Sequence, residues 1–262
     1  MKQLFLLIIL VLPLNLLAKD DTITLIVNEQ VKTVKSPQNR VVLLELYTSE
    51  GCSSCPPADR FLSRLKDAGI SGKQLIPMAF HVTYWDYIGW QDPFADKQYD
   101  QRQRDQAHKH NSSFIYTPQF LLLGEDYRRY TGLSDDISKL VKQKASVDLE
   151  LTVIHGDGKL HLLLKSDISR SEAKDVGYYF AVVENNLTSE VKAGENEGEL
   201  LRHDYVVRKL STPYFQSRPE NKLETEHVFI IAPEWKKSDL SIIAFAENSH
   251  TGEVLQAVRL KY

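Results

Sequence analysis

The chain is poor in cysteine, in net charge and in long apolar runs. It has only two cysteines in 262 residues, so a zinc site built from two cysteine pairs is excluded. Its formal net charge is −3 and no segment is strongly basic, so we expect no nucleic-acid partner. Beyond the N-terminal segment, no stretch is long and apolar enough to suggest a membrane span. The sequence also has no internal repeat and no low-complexity segment.

The first 18 residues have the composition of a secretory signal. Lys2 provides a positive start, the run 4–17 is almost entirely apolar, and the small residue Ala18 precedes a polar segment. Because the run is short for a spanning helix and contains Pro13, a cleaved signal peptide is favoured over an uncleaved anchor. We therefore predict a periplasmic or secreted protein that does not span the membrane after cleavage.

The remaining length suggests two domains. Removing 18 of the 262 residues leaves 244, which exceeds the usual single domain. Residues 19–146 alternate strands and helices, which predicts an α/β domain with a mixed sheet and helices on its faces. Within it, the aromatic and charged segment near 84–112 is interpreted as an insertion that ends in a mostly solvated helix. Residues 147–262 contain short strands separated by turns, which predicts an all-β, sandwich-like domain.

Both cysteines occur in one short motif. Cys52 and Cys55 directly follow the apolar run from Val41 to Tyr47, and Pro56 and Pro57 begin a helical pattern after them. A C-x-x-C motif between a strand and a helix is typical of a redox pair. The unpaired N–H groups and the positive dipole end of a helix N-terminus lower the pKa of the first thiol, and its thiolate is the nucleophile.

Two other interpretations of the cysteine pair stay open. A purely structural disulfide is one, although closing so short a loop stabilises a fold by only about 2 kcal/mol. The other is a chaperone that binds copper or a partner through the same thiols, since a copper(I) site built from both thiolates and one histidine is chemically reasonable. His81, at the end of a strand, is better explained as a hydrogen-bonded structural residue than as a ligand. His108 and His110 are better explained as solvated helix residues. The redox pair is favoured, and we predict no metal and no cofactor.

The motif and its surroundings resemble the thioredoxin fold. A strand leads to C-x-x-C at a helix start, and Thr117-Pro118 precedes a later strand. The resemblance implies that Pro118 is cis, lies against the disulfide and frames a substrate groove together with Thr117. It also places Glu45 where thioredoxins often keep a buried acid, and Glu45 is expected to accept a proton from Cys55.

Longer motifs resemble a family of secreted bacterial proteins catalogued as domain of unknown function 1223. These motifs are the segments 44–59, 81–93, 116–119 and 194–208. The resemblance implies a thioredoxin-like domain and an exported location, and it supplies no substrate.

These patterns together predict an exported thiol–disulfide oxidoreductase. Its partners would be protein thiols or disulfides, or a membrane redox partner. Cys52 would form the mixed disulfide and Cys55 would resolve it. Besides Cys52, Cys55, Pro118 and Glu45 as catalytic candidates, the substrate-binding candidates are Gly51, Trp85, Tyr116 and Thr117. Trp85 fits equally well as an aromatic side chain that caps the core.

Overall fold

The computed structural model describes residues 30–65, 72–173, 175–217 and 220–262, so the predicted signal segment 1–18 lies outside the described residues. Within them the chain forms fifteen strands and three α-helices. The strands are β1 Gln30–Lys35, β2 Val42–Thr48, β3 Leu75–His81, β4 Gln119–Leu122, β5 Glu125–Asp126, β6 Asp148–Gly156, β7 Lys159–Asp167, β8 Asp175–Glu184, β9 Leu187–Glu190, β10 Leu200–His203, β11 Val206–Leu210, β12 Tyr214–Ser217, β13 Lys222–Ile230, β14 Leu240–Asn248 and β15 Val254–Lys261. The helices are α1 Cys55–Arg64, α2 Lys97–Lys109 and α3 Leu133–Leu140, with short 3-10 helices at Thr83–Ile88, Tyr130–Gly132 and Lys237–Asp239. Among the helices of the described ranges, none combines the length and the apolar composition that crossing a bilayer requires.

Nine strands form one mixed sheet. Its order is β15–β14–β8–β11–β3–β2–β4–β5, and β12 pairs with β8 outside this path. β2 and β3 are parallel, whereas β4 is antiparallel to β2 and β5 is antiparallel to β4. β11 continues the sheet beyond β3, where Val206 is opposite Ala79. The β2–α1–β3 unit that carries both cysteines therefore includes two central strands of the sheet.

The strand pairing crosses the boundary expected at residue 146. β8, β11, β14 and β15 come after that residue, yet they belong to the same sheet as β2, β3 and β4. Conversely, β1 comes before it and pairs with β6 in a second sheet of order β1–β6–β7–β13. The segments 19–146 and 147–262 thus share both sheets instead of each building its own, and the division into two domains stays a prediction.

Two hydrophobic cores lie on opposite faces of the large sheet. Alternate residues of β8 contribute to different cores: Ala181 and Val183 to one, Phe180 and Val182 to the other. The first core also contains α1 and α3 side chains, and the second contains the inward residues of β6 and β7. The second core is therefore enclosed between two sheets.

β2 and β3 are buried along their whole length. Such strands read as continuous apolar runs because they are covered on both faces. β2 ends at Thr48, and α1 begins seven residues later at Cys55, with Pro56 and Pro57 in the second and third positions after the N-cap Ser54. This confirms the helix start predicted from Pro56 and Pro57, since proline needs no hydrogen-bond acceptor there.

α2 differs from the mostly solvated helix expected in the insertion 84–112. It begins after Asp96, whose side chain accepts a hydrogen bond of 2.8 Å from the backbone N–H of Gln98. Although its sequence is polar, Arg102, Gln103 and other polar side chains are buried against the sheet. Burial is possible because these polar groups find hydrogen-bond partners inside the protein.

Candidate functional site

The two cysteines form a disulfide at the junction of β2 and α1. Their Cα atoms are 5.4 Å apart. The sulfur of Cys52 lies 3.3 Å from the Ser54 hydroxyl oxygen. Both cysteines are 0% exposed. The pair therefore occupies the position predicted from the motif, but other parts of the chain bury it.

Residues 191–199, between β9 and β10, are bound to the disulfide segment, and we call them the cover loop. The side-chain amide of Asn196 donates hydrogen bonds to the carbonyl oxygens of Glu50 (2.7 Å) and Cys52 (3.1 Å). The backbone N–H of Ser53 donates a bond of 3.0 Å to the carboxylate of Glu195. This bond lowers the pKa of Glu195. The cover loop thus holds the backbone on both sides of Cys52.

Gly51, Trp85 and Thr117 meet beside the disulfide segment. The indole N–H of Trp85 donates a hydrogen bond of 2.7 Å to the Thr117 hydroxyl. A Cβ atom added to Gly51 would lie 3.2 Å from the Cβ of Trp85 and 3.1 Å from the Cδ1 of Ile88. Such separations are tighter than ordinary van der Waals contact, so a side chain at position 51 would require Trp85 or Ile88 to shift. Trp85 also packs against the first core, so both interpretations of Trp85 stay open.

The Thr117–Pro118 peptide bond is cis, as the resemblance to thioredoxins implies. The hydrogen bond that the Thr117 hydroxyl accepts from Trp85 links this cis peptide to the side of the site where Gly51 lies. Tyr116, the residue before, points to different partners: its hydroxyl donates to Asp126 at 2.8 Å. Burial and this carboxylate together raise the pKa of Tyr116 to about 12. The side chain of Tyr116 is therefore connected to β5.

Glu45 lies on the other face of β2 from α1. Thr48 donates a hydrogen bond of 2.8 Å to Asp59 of α1, and strand residues at odd separations point to opposite faces. The carboxylate of Glu45 instead accepts bonds of 2.9 and 2.7 Å from Arg102 of α2. This placement corrects the expectation that Glu45 accepts a proton from Cys55, because its charge is paired on the opposite side of the sheet.

The ion pair of Glu45 belongs to a larger network. Arg102 also bonds to Glu247 of β14 at 3.1 Å, and Lys109 bonds to the same carboxylate at 2.6 Å. Burial opposes the charge of Arg102, but Glu45 and Glu247 outweigh it and hold the pKa of Arg102 well above its usual range. The network joins α2 to β2 and β14, which is a structural role.

A second buried polar cluster lies next to the disulfide segment and centres on Glu50. This residue directly precedes Gly51 and is fully buried. Its carboxylate accepts hydrogen bonds from the indole N–H of Trp90 (2.8 Å) and the Ser189 hydroxyl (3.1 Å). It also contacts Nε2 of His203 at 3.1 Å. Glu50 therefore connects the segment before Cys52 to both strands of the β9–β10 hairpin.

The same cluster contains a pair of histidines. The rings of His81 and His203 are perpendicular, with centroids 4.9 Å apart. Nδ1 of His81 is 2.7 Å from the Asp92 carboxylate, and Nδ1 of His203 is 3.8 Å from the Asp59 carboxylate. One potential ligand atom from each of Asp59, His81 and His203 lies within 4.8 Å of the other two. These three residues could hold a metal ion.

The charges of the cluster compensate one another. Burial opposes protonation of His203, but the nearby carboxylates of Asp59 and Glu50 outweigh it and raise the pKa of His203 to about 10. Burial would likewise raise the pKa of Asp92, but His81 and the backbone N–H of Glu50 outweigh it and lower that pKa. Such buried charges persist only because each has partners.

Asp59 and His203 were not among the residues expected near the disulfide. Asp59 follows Cys55 by one helical turn, so the i, i+4 spacing on α1 could have indicated it. His203 comes 153 residues after Glu50 in the chain, and no local pattern predicts their contact. Only the position of the β9–β10 hairpin brings the two residues together.

A family model described as "Protein of unknown function (DUF1223)" matches residues 43–246. The chain belongs to this family. The match covers the disulfide, the cis peptide and the cover loop. Among curated proteins, none matches the chain.

Two solved structures share the fold. One is protein AGR_C_4864 from Agrobacterium tumefaciens, with a TM-score of 0.60 and 21% identity, over 86% of this chain and 96% of that one. The other is HBP35 of Porphyromonas gingivalis, with a TM-score of 0.65 and 13% identity, over 86% of this chain and 76% of that one. At these identities the likeness concerns the fold alone.

Proposed function

We propose that this member of the DUF1223 family is an exported thiol–disulfide oxidoreductase whose Cys52–Cys55 pair exchanges with thiols or disulfides of protein substrates. The observation that carries the proposal is the place of the disulfide, between the end of buried β2 and the first turn of α1. A C-x-x-C pair in a strand–helix–strand unit is the usual setting of a redox motif.

We further propose that the β2–α1–β3 unit with β4 and β5 is thioredoxin-like. Parallel pairing of β2 and β3 and antiparallel pairing of β4 with β2 support this assignment. The cis Thr117–Pro118 bond directly before β4 supports it as well. In this proposal Thr117, Pro118 and Trp85 form the wall that receives the substrate chain.

Cys52 is assigned as the attacking thiol. It precedes α1, whose unpaired N–H groups favour a thiolate at that end. The Ser54 hydroxyl, 3.3 Å from the sulfur of Cys52, can donate a hydrogen bond to the thiolate and stabilise it further. Cys55 is the first residue of the helix itself and is assigned as the resolving thiol.

The exchange proceeds in two balanced steps. A substrate thiolate attacks the sulfur of Cys52, a substrate–Cys52 disulfide forms, and Cys55 leaves as a thiolate that takes up a proton. A second substrate thiolate then attacks the substrate sulfur and releases Cys52. The substrate loses two electrons and two protons and forms a disulfide, while the Cys52–Cys55 disulfide takes up these electrons and protons and becomes a dithiol. The reverse sequence reduces a substrate disulfide.

Exchange also requires access to a disulfide that is fully buried in this conformation. The hydrogen bonds of Glu195 and Asn196 hold the cover loop on the backbone of the site. We propose that the cover loop moves away before a substrate reaches Cys52.

Export is supported by the sequence of residues 1–18, which has the features of a signal peptide. The disulfide is also consistent with an oxidising compartment. Fractionation of the producing cell tests this part of the proposal. We expect a chain shortened at its N-terminus in the periplasm or the medium, and a full-length chain in the cytosol would contradict it.

Full burial of both cysteines favours one alternative, a purely structural disulfide. The two functions differ in how the pair responds to reductant. Structural disulfides usually have potentials below about −300 mV, whereas catalytic pairs lie above that value.

The test equilibrates the full chain with glutathione and dithiothreitol buffers and measures the reduced fraction by thiol alkylation and mass spectrometry. In parallel, Cys55→Ser is incubated with extracts of the exported fraction to trap mixed disulfides, and Cys52→Ser is the matched control. A potential above about −300 mV and adducts formed only by Cys55→Ser would support an oxidoreductase. A pair that is reduced only on unfolding and traps nothing would leave the structural alternative.

A further inference from the structure

Two ring nitrogens in the buried cluster have no hydrogen-bond partner among the described residues. They are Nε2 of His81 and Nδ1 of His203. His81 is 0% exposed and His203 is 3% exposed, so bulk water does not reach either nitrogen. A buried polar atom without a partner is costly, and native proteins usually leave one only where a water or an ion completes it.

The opposite nitrogen of each ring is bound to a carboxylate. Nδ1 of His81 is 2.7 Å from Asp92, and Nε2 of His203 is 3.1 Å from Glu50. When a carboxylate accepts the N–H of one ring nitrogen, the other nitrogen has a free lone pair in the neutral ring, and in the protonated ring it carries a proton that a metal ion can replace. Histidines that bind metals are oriented in this way by an outer carboxylate.

Asp59 completes the set of donors. One of its oxygens accepts the Thr48 hydroxyl at 2.8 Å, and the other lies 3.8 Å from Nδ1 of His203. All three donor groups lie within 4.8 Å of one another. Bond lengths of about 2.0–2.2 Å place the ligands of a tetrahedral zinc ion about 3.4 Å apart, so a small contraction of the cluster would suffice.

The charges of the cluster also favour a cation. Glu50, Asp59 and Asp92 are three buried carboxylates around two imidazoles. Within the described residues, none of the three forms an ion pair with a lysine or an arginine. A divalent ion at Nδ1 of His203 would take the place of a proton there and would bring one more positive charge into the cluster.

We propose that Asp59, His81 and His203 bind one divalent transition-metal ion of the zinc type. The ligands are Oδ1 of Asp59, Nε2 of His81 and Nδ1 of His203. Two imidazoles and one carboxylate suit zinc or a neighbouring divalent ion better than the hard cations calcium and magnesium, which prefer oxygen. Asp92 and Glu50 are positioning residues that act through the histidines.

The three ligands come from three different elements: α1, β3 and β10. A bound ion would therefore fasten the β9–β10 hairpin, which carries the cover loop, to the unit that carries the disulfide. The site does not use the cysteines, so it does not depend on the proposed redox function.

Zinc titration of the full chain tests this proposal. The protein is kept free of affinity tags, freed of metal with a chelator and left with its disulfide intact, and zinc chloride is added in a calorimeter. We expect one zinc ion per chain in the wild type and in the Cys52→Ser/Cys55→Ser variant. A wild-type protein with native circular dichroism that binds no zinc would overturn the proposal.

Three substitutions remove one ligand each: Asp59→Asn, His81→Gln and His203→Gln. Asp59→Asn retains an oxygen for the Thr48 hydroxyl and is therefore the variant most suited to fold normally. Loss of an outer carboxylate lowers metal affinity about 10- to 100-fold, and this is the effect that we expect for Asp92→Asn. Each of the three ligand substitutions should lower the zinc affinity by more than that. Unchanged zinc affinity in folded Asp59→Asn would overturn the assignment.

His155→Gln is the matched control. His155 is a buried histidine on β6 whose two ring nitrogens also have no hydrogen-bond partner among the described residues. Unlike His81 and His203, it is therefore not oriented by a hydrogen bond to a carboxylate of those residues. Its replacement should leave zinc binding unchanged. Cobalt(II) offers a second readout, because a site with nitrogen and oxygen ligands of low coordination number gives visible absorption bands. These bands should appear in the wild type and be absent in Asp59→Asn, and bands of equal strength in both would contradict the proposal.

Discussion

Asn196 donates a hydrogen bond of 3.1 Å to the carbonyl oxygen of Cys52, although 144 residues separate them in the chain. The same amide group bonds the carbonyl oxygen of Glu50 at 2.7 Å. One buried side chain of the cover loop therefore holds the backbone before and at the first cysteine. The cover loop, which we propose must move before a substrate reaches Cys52, is therefore held to the C-x-x-C motif by a residue remote from it in the chain.

Asn196→Ala should expose the disulfide more often. The substitution removes two hydrogen bonds, each worth about 1 kcal/mol, so local opening of the cover loop becomes easier by about 1–2 kcal/mol. Reduction by dithiothreitol that proceeds through this opening should then be about 5- to 30-fold faster. The rate is measured by quenched alkylation at low reductant.

Asn248→Ala provides the control for that comparison. Asn248 also stabilises a turn, by accepting hydrogen bonds from the backbone N–H groups of His250 and Thr251, but this turn lies between β14 and β15. Its loss should leave the reduction rate unchanged. Equal rates in Asn196→Ala and wild type would show that another element limits access.

The local features of the site could be predicted from the sequence. The apolar run before Cys52, the C-x-x-C spacing and the prolines after it are all contained within 17 residues, from Val41 to Pro57. They predicted a strand, a cysteine pair and a helix start, and the structure has β2, the disulfide and α1 in this order. These three features could be predicted because each is determined by residues that are close to one another in the chain.

The partners of the buried charges could not be predicted in this way. Glu45 was expected near Cys55, but its partner Arg102 is 57 residues away in a helix that looked mostly solvated. The sequence of α2 is polar because its buried side chains bond to groups from other elements, including Glu247 of β14. A periodicity argument recognises apolar faces and misses a helix that buries a polar one.

Replacing Arg102 should strongly destabilise the fold. Arg102→Met leaves the carboxylates of Glu45 and Glu247 buried with too little positive charge, and such a loss costs about 3–5 kcal/mol. Urea unfolding followed by circular dichroism measures the change in the free energy of unfolding. Arg128→Ala is the control, because its ion pair with Asp126 is largely exposed and should contribute no more than about 1 kcal/mol. Similar losses in both variants would refute the assigned role of the network.

Gly51→Ala should disturb the contact between the motif and the 3-10 helix Thr83–Ile88. The added Cβ would lie 3.1–3.3 Å from atoms of Ile88 and Trp85, one of them a backbone oxygen. Overpacking of this kind costs about 1–3 kcal/mol. Gly177→Ala is the matched control, since a Cβ there would have ordinary contacts of 3.5–3.6 Å. Thermal unfolding of the two variants should separate them, and equal melting temperatures would show that the 3-10 helix moves aside freely.

Trp85→Phe should distinguish the two interpretations of this side chain. The substitution keeps an aromatic ring in the core contact but removes the donor to Thr117. If Trp85 orients the substrate wall, fewer mixed disulfides should be trapped in a Cys55→Ser background while the melting temperature changes little. Trp235→Phe, in the second core, controls for the loss of an indole. A lower melting temperature with unchanged trapping would leave Trp85 as a core residue.

Zinc should slow reduction of the disulfide if the ion fastens the β9–β10 hairpin. His203 is the last residue of β10, and the cover loop leads into this strand. A ligand that binds only the closed form stabilises it by about 2.7 kcal/mol at a concentration 100 times its Kd, so an opening that breaks the site becomes about 100-fold rarer. Reduction should then slow by up to the same factor, as measured with tris(2-carboxyethyl)phosphine and a zinc buffer that fixes the free ion. Asp59→Asn should show no zinc effect, which separates binding at this site from any effect of zinc on the reductant. If zinc binds tightly to the wild type but the reduction rates of the wild type and of Asp59→Asn are both independent of zinc, the cover loop opens without moving His203.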